Sequence, residues 1–160
     1  MGVAGSLDPK IPLGKVFVIK DDIVGDLGVT ENKQWKDLFD LKLDAANDAP
    51  FEKKSLPNHW LNQYNLLKLP TKKGVTINTI TTDKKIMERY RTKYKAQIES
   101  MEGAALHYIG RDLNIPFIQI RSVSNYVGER NKAKWEMQEA IYQLNETLLQ
   151  YVDALSKMEH

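Results

Sequence analysis

Apolar residues fall in short runs with abrupt polar ends through most of the chain, and in one long stripe near its C-terminus. Val16 to Ile19 (VFVI) is such a run; it reads as a strand stopped by Lys20-Asp21-Asp22. Gly74 to Thr82 alternates Val75, Ile77 and Ile80 with threonines, a β-rich pattern, and Asp83 is placed to cap a helix running to about Tyr94. Ile98 to Glu102 predicts a strand that runs into a helix starting near Gly103. Pro116 to Val123 (PFIQIRSV) is a near-continuous apolar run of the kind that forms a buried parallel strand. These two strands and the helix between them predict a βαβ unit. From Lys132 to Lys157, the residues Met137, Ile141, Leu144, Leu148, Val152 and Leu155 recur at three- and four-residue steps, predicting a helix with that face on the sheet. Between the first and second runs the pattern is weak. Trp35, Leu38 and Phe39 could share a helical face, but 47–50 and 55–58 hold breakers. The expectation is one α/β domain over residues 1–160, with a mixed, largely parallel sheet flanked by helices.

Composition narrows the chemistry. Lys and Arg number 23 against 21 Asp and Glu, a net charge of +2, so no strong field nominates nucleic acid as a partner. There is no cysteine, which removes disulfides, thiolate metal sites and cysteine nucleophiles and fits a reducing, cytoplasmic setting. No apolar run has the length of a membrane span, and the N-terminus lacks a signal-peptide layout. His59, His107 and His160 have no spacing with carboxylates that would hold a metal, so neither metal nor cofactor is expected.

Two segments carry chemistry. Ser100-Met101-Glu102-Gly103-Ala104-Ala105 is followed about twenty residues later by Arg121-Ser122-Val123-Ser124-Asn125, which puts a carboxylate and an amide near two strand ends. In open α/β sheets ligands sit outside the carboxyl ends of strands. Taken alone, Glu102 could simply complement a helix dipole and Asn125 could be a turn residue. Three further stretches accompany them in order: Gly2-Val3-Ala4-Gly5-Ser6 ahead of Leu13-Gly14-Lys15-Val16; Asp21-Asp22-Ile23-Val24-Gly25-Asp26-Leu27-Gly28; and Ser124 to Asn131 ahead of Trp135. The ordered set resembles the nucleoside phosphorylase and nucleosidase superfamily, and within it the futalosine hydrolases fit best.

The resemblance implies roles. Glu102 would bind ribose hydroxyls and Met101 would pack on the sugar, with Ala4 and Gly5 lining the nucleoside site and Thr81 lying near the base. Asn125 stands where adenine-specific members carry aspartate. An amide offers donor and acceptor together and suits a 6-oxopurine, so hypoxanthine is the expected leaving group. Cleavage of an N-ribosidic bond builds positive charge on the sugar and negative charge on the purine, which is why a carboxylate and a base-binding group belong together. The implied reaction is hydrolysis of futalosine in menaquinone biosynthesis, by a homo-oligomer whose substrate is a small purine nucleoside. A phosphorylase and a non-catalytic nucleoside-binding module are the rival readings. Family members open with a strand and a water-activating glutamate ahead of the glycine turn, whereas here the turn follows Met1, so the chain is expected to lack the first third of the pattern. Asp21, Asp22 and Asp26 are read as a solvated loop, and Arg121 as a structural ion-pair partner.

Overall fold

The computed structural model describes residues 1–158; His160 lies outside them. In chain order, β1 (Gly2–Ser6), β2 (Val16–Asp22), β3 (Gly28–Glu31), β4 (Gln34–Asp37) and β5 (Leu56–Pro57) precede a single-turn helix α1 (Leu61–Tyr64). There follow β6 (Thr71–Thr76), α2 (Lys84–Thr92), β7 (Ile98–Ser100), α3 (Gly103–Asp112), β8 (Ile120–Tyr126) and α4 (Met137–Ser156). The architecture is the expected α/β fold with a mixed sheet flanked by helices.

The main sheet has the order β5-β2-β6-β7-β1-β8, and β2 pairs with β8 as well, so the sheet curls back on itself. Parallel pairings are β1–β8, β2–β6 and β6–β7; antiparallel ones are β1–β7, β2–β5 and β2–β8. Ala4, Phe17, Ile19, Ile98 and Val123, drawn from four strands, pack together with Ile11. A second core joins Leu7, Val75 and Ile77 to Tyr90 and Tyr94 at α2, and a third joins Val18 and Ile120 to Tyr151 of α4.

Several expectations are corrected. The anticipated βαβ unit is not one: β1 lies between β7 and β8, antiparallel to the first and parallel to the second, so β7 and β8 run in opposite directions. β8 starts at Ile120, beyond Pro116, whose missing N–H suits it poorly to a paired strand. The strand expected over Gly74 to Thr82 spans Thr71–Thr76 instead. Asp83 does cap α2, its carboxylate accepting from the Lys85 and Ile86 amides.

The middle of the chain holds no helix through Trp35. It forms the β3–β4 hairpin, in which Asn32 and Lys33 both take positive φ (49° and 64°), the backbone that a tight two-residue hairpin turn demands. The C-terminal helix forms, but its buried positions are Ala140, Thr147 and Tyr151, with Leu144 partly buried. Ile141, Leu148 and Val152 of the expected stripe are 46%, 42% and 54% exposed. The helix buries the small Ala140 completely, and the Tyr151 hydroxyl reaches the Tyr64 carbonyl at 2.9 Å.

Candidate functional site

β1 is the axis of the site, and the registers of its two neighbours set what stands along it. On one side Gly5 pairs with Glu99 of β7; on the other Gly5 pairs with Asn125 and Gly2 with Arg121 of β8. Because β7 runs against β1, the chain leaving it carries Glu102 back to the level of Gly2, opposite Arg121. Arg121 Nη2 accordingly donates to Glu102 Oε2 at 3.2 Å. Glu102 and Asn125 are thus separated by three residues along β1, about 10 Å at the rise of a strand. This is a better arrangement for the two ends of a nucleoside than two adjacent strand tips.

A cavity of about 260 Å³ lies over this row. Val3, Ala4, Gly5, Glu99, Met101, Glu102 and Asn125 line it, with Ile77, Ile80 and Trp135 among its apolar wall. Gly5 matters as a floor: a Cβ there would stand 3.0 Å from Val127 and 3.6 Å from Asn125 Nδ2. Asp26 fixes the rim, accepting from the Asn78 and Thr79 amides at 2.6 and 2.9 Å beside the Ile77–Ile80 segment.

Of the residues singled out from sequence, Ala4, Gly5, Met101, Glu102 and Asn125 meet at this cavity. Thr81 does not line it. Its side chain turns to its own backbone, Oγ1 accepting from the Asp83 amide at 3.1 Å at the entry to α2. Glu102 is the N-cap residue of α3, yet it makes no side-chain cap bond. Its side chain is 71% exposed, and Arg121 is its anchor. Asn125 is oriented by its neighbours. Oδ1 accepts from the Ser124 hydroxyl at 2.9 Å and Nδ2 donates to the Tyr126 carbonyl at 3.2 Å, which leaves one amide hydrogen for a ligand.

Glu99 was missed by the sequence reading. Its side chain belongs to the cavity wall, and its buried Oε2 has no hydrogen-bond partner among the described residues. Burial, helped by the charge of Asp26, pushes its carboxyl up to about 7. The available signal was a carboxylate inside a strand otherwise made of Ile98 and Ser100, both buried.

Asp22, expected in a solvated loop, ends β2 and is 1% exposed. It anchors a buried polar network. Oδ1 accepts from the Ile23 amide at 2.8 Å and the Thr76 hydroxyl at 3.0 Å, and Thr76 Oγ1 accepts from the Ala104 amide in the first turn of α3 at 2.7 Å. Gln119, also buried, links this carboxylate to the site. With its amide assigned so that nitrogen faces the acceptors and oxygen the donor, its nitrogen donates to Asp22 Oδ2 at 3.2 Å and His107 Nε2 at 2.8 Å, and its oxygen accepts from Arg121 Nε at 3.1 Å. The His107 tautomer is fixed because Nδ1 faces the Leu56 carbonyl at 2.6 Å and must carry the hydrogen. Burial holds the His107 ring down to about 4, and pushes Asp22 up to about 7 against the three donors that favour its ionised form. Gly103 is obligatory here, since a Cβ would collide with the Asp22 carboxylate and the Gln119 amide. Arg121 is therefore more than an ion-pair partner at a sheet edge: it is held from below and in turn holds Glu102.

Residues 1–157 match the family model described as the phosphorylase superfamily. The chain belongs to that superfamily. No curated protein matches it in sequence. Solved structures share its fold. The 5'-methylthioadenosine/S-adenosyl homocysteine nucleosidase of Helicobacter pylori superposes with a TM-score of 0.71 at 18% identity, covering 95% of this chain and 66% of that one. Futalosine hydrolase of Helicobacter pylori gives 0.70 at 19%, covering 95% and 65%. The apo 5'-methylthioadenosine nucleosidase of Arabidopsis thaliana gives 0.70 at 19%, covering 99% and 61%. The chain thus spans about two thirds of the length of these superfamily members.

Proposed function

We propose that this superfamily chain binds a 6-oxopurine nucleoside along β1 and serves hydrolysis of its N-ribosidic bond, with futalosine as substrate and hypoxanthine as leaving group. The observation that carries the reading is the orientation of Asn125. Its Oδ1 accepts from Ser124 and one Nδ2 hydrogen goes to the Tyr126 carbonyl, so the residue lines the cavity at the level of Gly5 with one Nδ2 hydrogen to spare. An amide gives a purine a hydrogen bond without giving it a proton. It therefore suits a base whose carbonyl and N7 accept, and it stabilises negative charge as the purine departs. Glu102, braced by Arg121, stands about 10 Å away along the strand, where it can take the ribose hydroxyls and favour positive charge growing on the sugar. Met101, 46% exposed, offers its thioether to the sugar face. Leu106 and Ile109 of α3 and Leu113 at its C-cap form an exposed apolar face, which supports assembly with a second copy.

The test is incubation of the purified chain with futalosine, inosine and 5'-methylthioadenosine, with and without phosphate, reading free purine by chromatography. Hypoxanthine release from futalosine independent of phosphate is expected. Release that requires phosphate, or adenine released from methylthioadenosine alone, would sink the hydrolase reading. An Asn125→Asp variant should move preference towards the 6-amino base.

A further inference from the structure

Independently of the nucleoside reading, we propose that a second cavity, walled by the end of β2, by β6 and by the segments 53–55 and 93–95, is an anion site for a compact phosphate-class ligand of one or two phosphoryl groups. It holds about 170 Å³, less than pockets for drug-sized ligands and several times the share of one water. Lys53, Lys54, Lys73, Lys93 and Lys95 all line it, and no residue lines both this cavity and the one over β1. Three of the five are already paired. Lys73 Nζ lies 2.7 Å from Asp21 Oδ2, and Lys54 and Lys93 share Asp37 and Asp40 at 2.7 to 3.3 Å. Lys53 and Lys95 are exposed and have no acidic partner among the described residues, so two positive charges in the wall stand unbalanced. Asp22, the other acid of the wall, is engaged by the Ile23 amide, Thr76 and Gln119, and burial pushes it up to about 7, so it offsets only part of that charge.

Like charges gathered round one hollow repel, and a bound anion relieves the repulsion. The backbone adds a second observation. Lys53, Lys54 and Lys95 stand at φ of 49°, 69° and 57°, the left-handed region where Gly or Asn ordinarily sits. The backbone alone calls for lysine at none of these positions, and conformations of this kind gather at ligand clamps. Tyr94 adds a third. It is 8% exposed, its hydroxyl accepts from Trp35 Nε1 at 3.0 Å, and its own hydrogen has no acceptor among the described residues, so a neutral donor remains in the wall for a ligand oxygen. The choice of lysine sets the class of ligand. A compact ammonium without the planar fork of arginine responds to concentrated charge, which phosphoryl oxygens supply more fully than a carboxylate does.

The experiment titrates pyrophosphate, inorganic phosphate and citrate into the full chain by calorimetry at low ionic strength, for wild type, the double variant Lys53→Gly/Lys95→Gly, and Lys68→Gly. Lys68 is the control: it too is left-handed, at φ 50°, but does not line the cavity. Wild type should bind pyrophosphate most tightly, and more weakly as salt is added. The double variant should lose about 10- to 100-fold in pyrophosphate affinity, the scale for charge-assisted hydrogen bonds, while Lys68→Gly stays within about 2-fold of wild type. Glycine takes these φ values without strain, so both variants should melt no lower than wild type, and the lost affinity then reports the missing ammonium groups. Mass spectrometry of wild type gives a reading that needs no variant: pyrophosphate should slow acetylation of Lys53 and Lys95 and leave Lys68 unprotected. Equal pyrophosphate affinity in the double variant and wild type, protection of Lys68 to the same degree, or no binding of any of the three anions would overturn the site. Citrate bound more tightly than pyrophosphate would overturn the phosphate class. The nucleoside reading survives each of these results, since it rests on the other cavity.

Discussion

The two ends of the cavity are built on opposite principles. Beneath Glu102, every polar group is spoken for: Asp22, Thr76, Gln119, His107 and Arg121 form a closed chain of donors and acceptors inside the protein. At Gly5, three residues along the strand, a buried carboxyl oxygen without a partner among the described residues stands across β1 from an amide with one hydrogen to spare. A saturated network fixes geometry, because no member can turn without orphaning another. An unsaturated pair offers recognition, because its missing partner must come from outside. On the proposed reading, the Glu102 end is the place for positioning and the Gly5 end the place for selection.

Removing the Glu102 carboxylate, the proposed ribose contact, gives the largest expected effect. Glu102→Ala should lower nucleoside turnover on the order of 10²-fold or more, the scale for loss of one preorganised charge-stabilising group, while hypoxanthine binding, measured by calorimetry, stays within about 2-fold. An equal loss of free-base affinity would erase the division between the two ends. Next comes the pH dependence of stability. The folded Glu99 carboxyl titrates near 7, above its ordinary 4.5, so between these values the folded state holds more protons than the unfolded chain. Stability from this group is therefore present at low pH and lost as pH rises through that window. Glu99→Gln removes the loss. Urea unfolding should show the variant gaining on wild type from pH 5 to pH 8 by up to about 3 kcal/mol, reduced by whatever solvent enters the cavity. A flat difference across that range would mean that the carboxyl ionises normally.

Gln119→Leu probes the saturated end. It leaves Asp22 Oδ2, His107 Nε2 and Arg121 Nε without their shared partner, which should cost about 1–3 kcal/mol in stability and free Arg121 and Glu102 to move. KM for the nucleoside should rise about 10-fold with hypoxanthine affinity unchanged. A variant as active as wild type would show that Glu102 needs no support from below.

How much of this was legible in the chain depends on what each residue's neighbours are. The strand around Val16, the Asp83 cap and the helix at Gly103 follow from local pattern, and so did the meeting of Ala4, Gly5, Met101, Glu102 and Asn125 at one cavity, through ordered motifs. The row that joins Glu99 to Gly5 and Asn125 did not, because strand order places β1 between β7 and β8, and no periodicity encodes which strands pair. Asp22 misled for a related reason. An acidic run reads as solvated, and its burial depends on Gln119, nearly a hundred residues away in sequence. In α4 the large apolar residues outweighed Ala140 and Thr147 in the pattern, although close approach to the sheet favours the small ones.

The smallest effect sharpens the contrast at the base end. Ser124 is 2% exposed, and its hydroxyl donates to Asn125 Oδ1, fixing which way the amide faces. Ser124→Ala keeps the Cβ and the β8 backbone pairing with β1 and removes only that hydroxyl, so about 1 kcal/mol of stability should go. Asn125 is then free to turn its oxygen to the cavity. A 6-amino base, which can donate there, should gain a few-fold on hypoxanthine in calorimetric titrations. The same loss at the saturated end propagates through Gln119 to Arg121 and Glu102; at the open end it has nowhere to go but into the choice of ligand. If Ser124→Ala instead raised KM for the ribose part and left the choice of base untouched, the orientation of Asn125 would have to be set by the Tyr126 carbonyl alone.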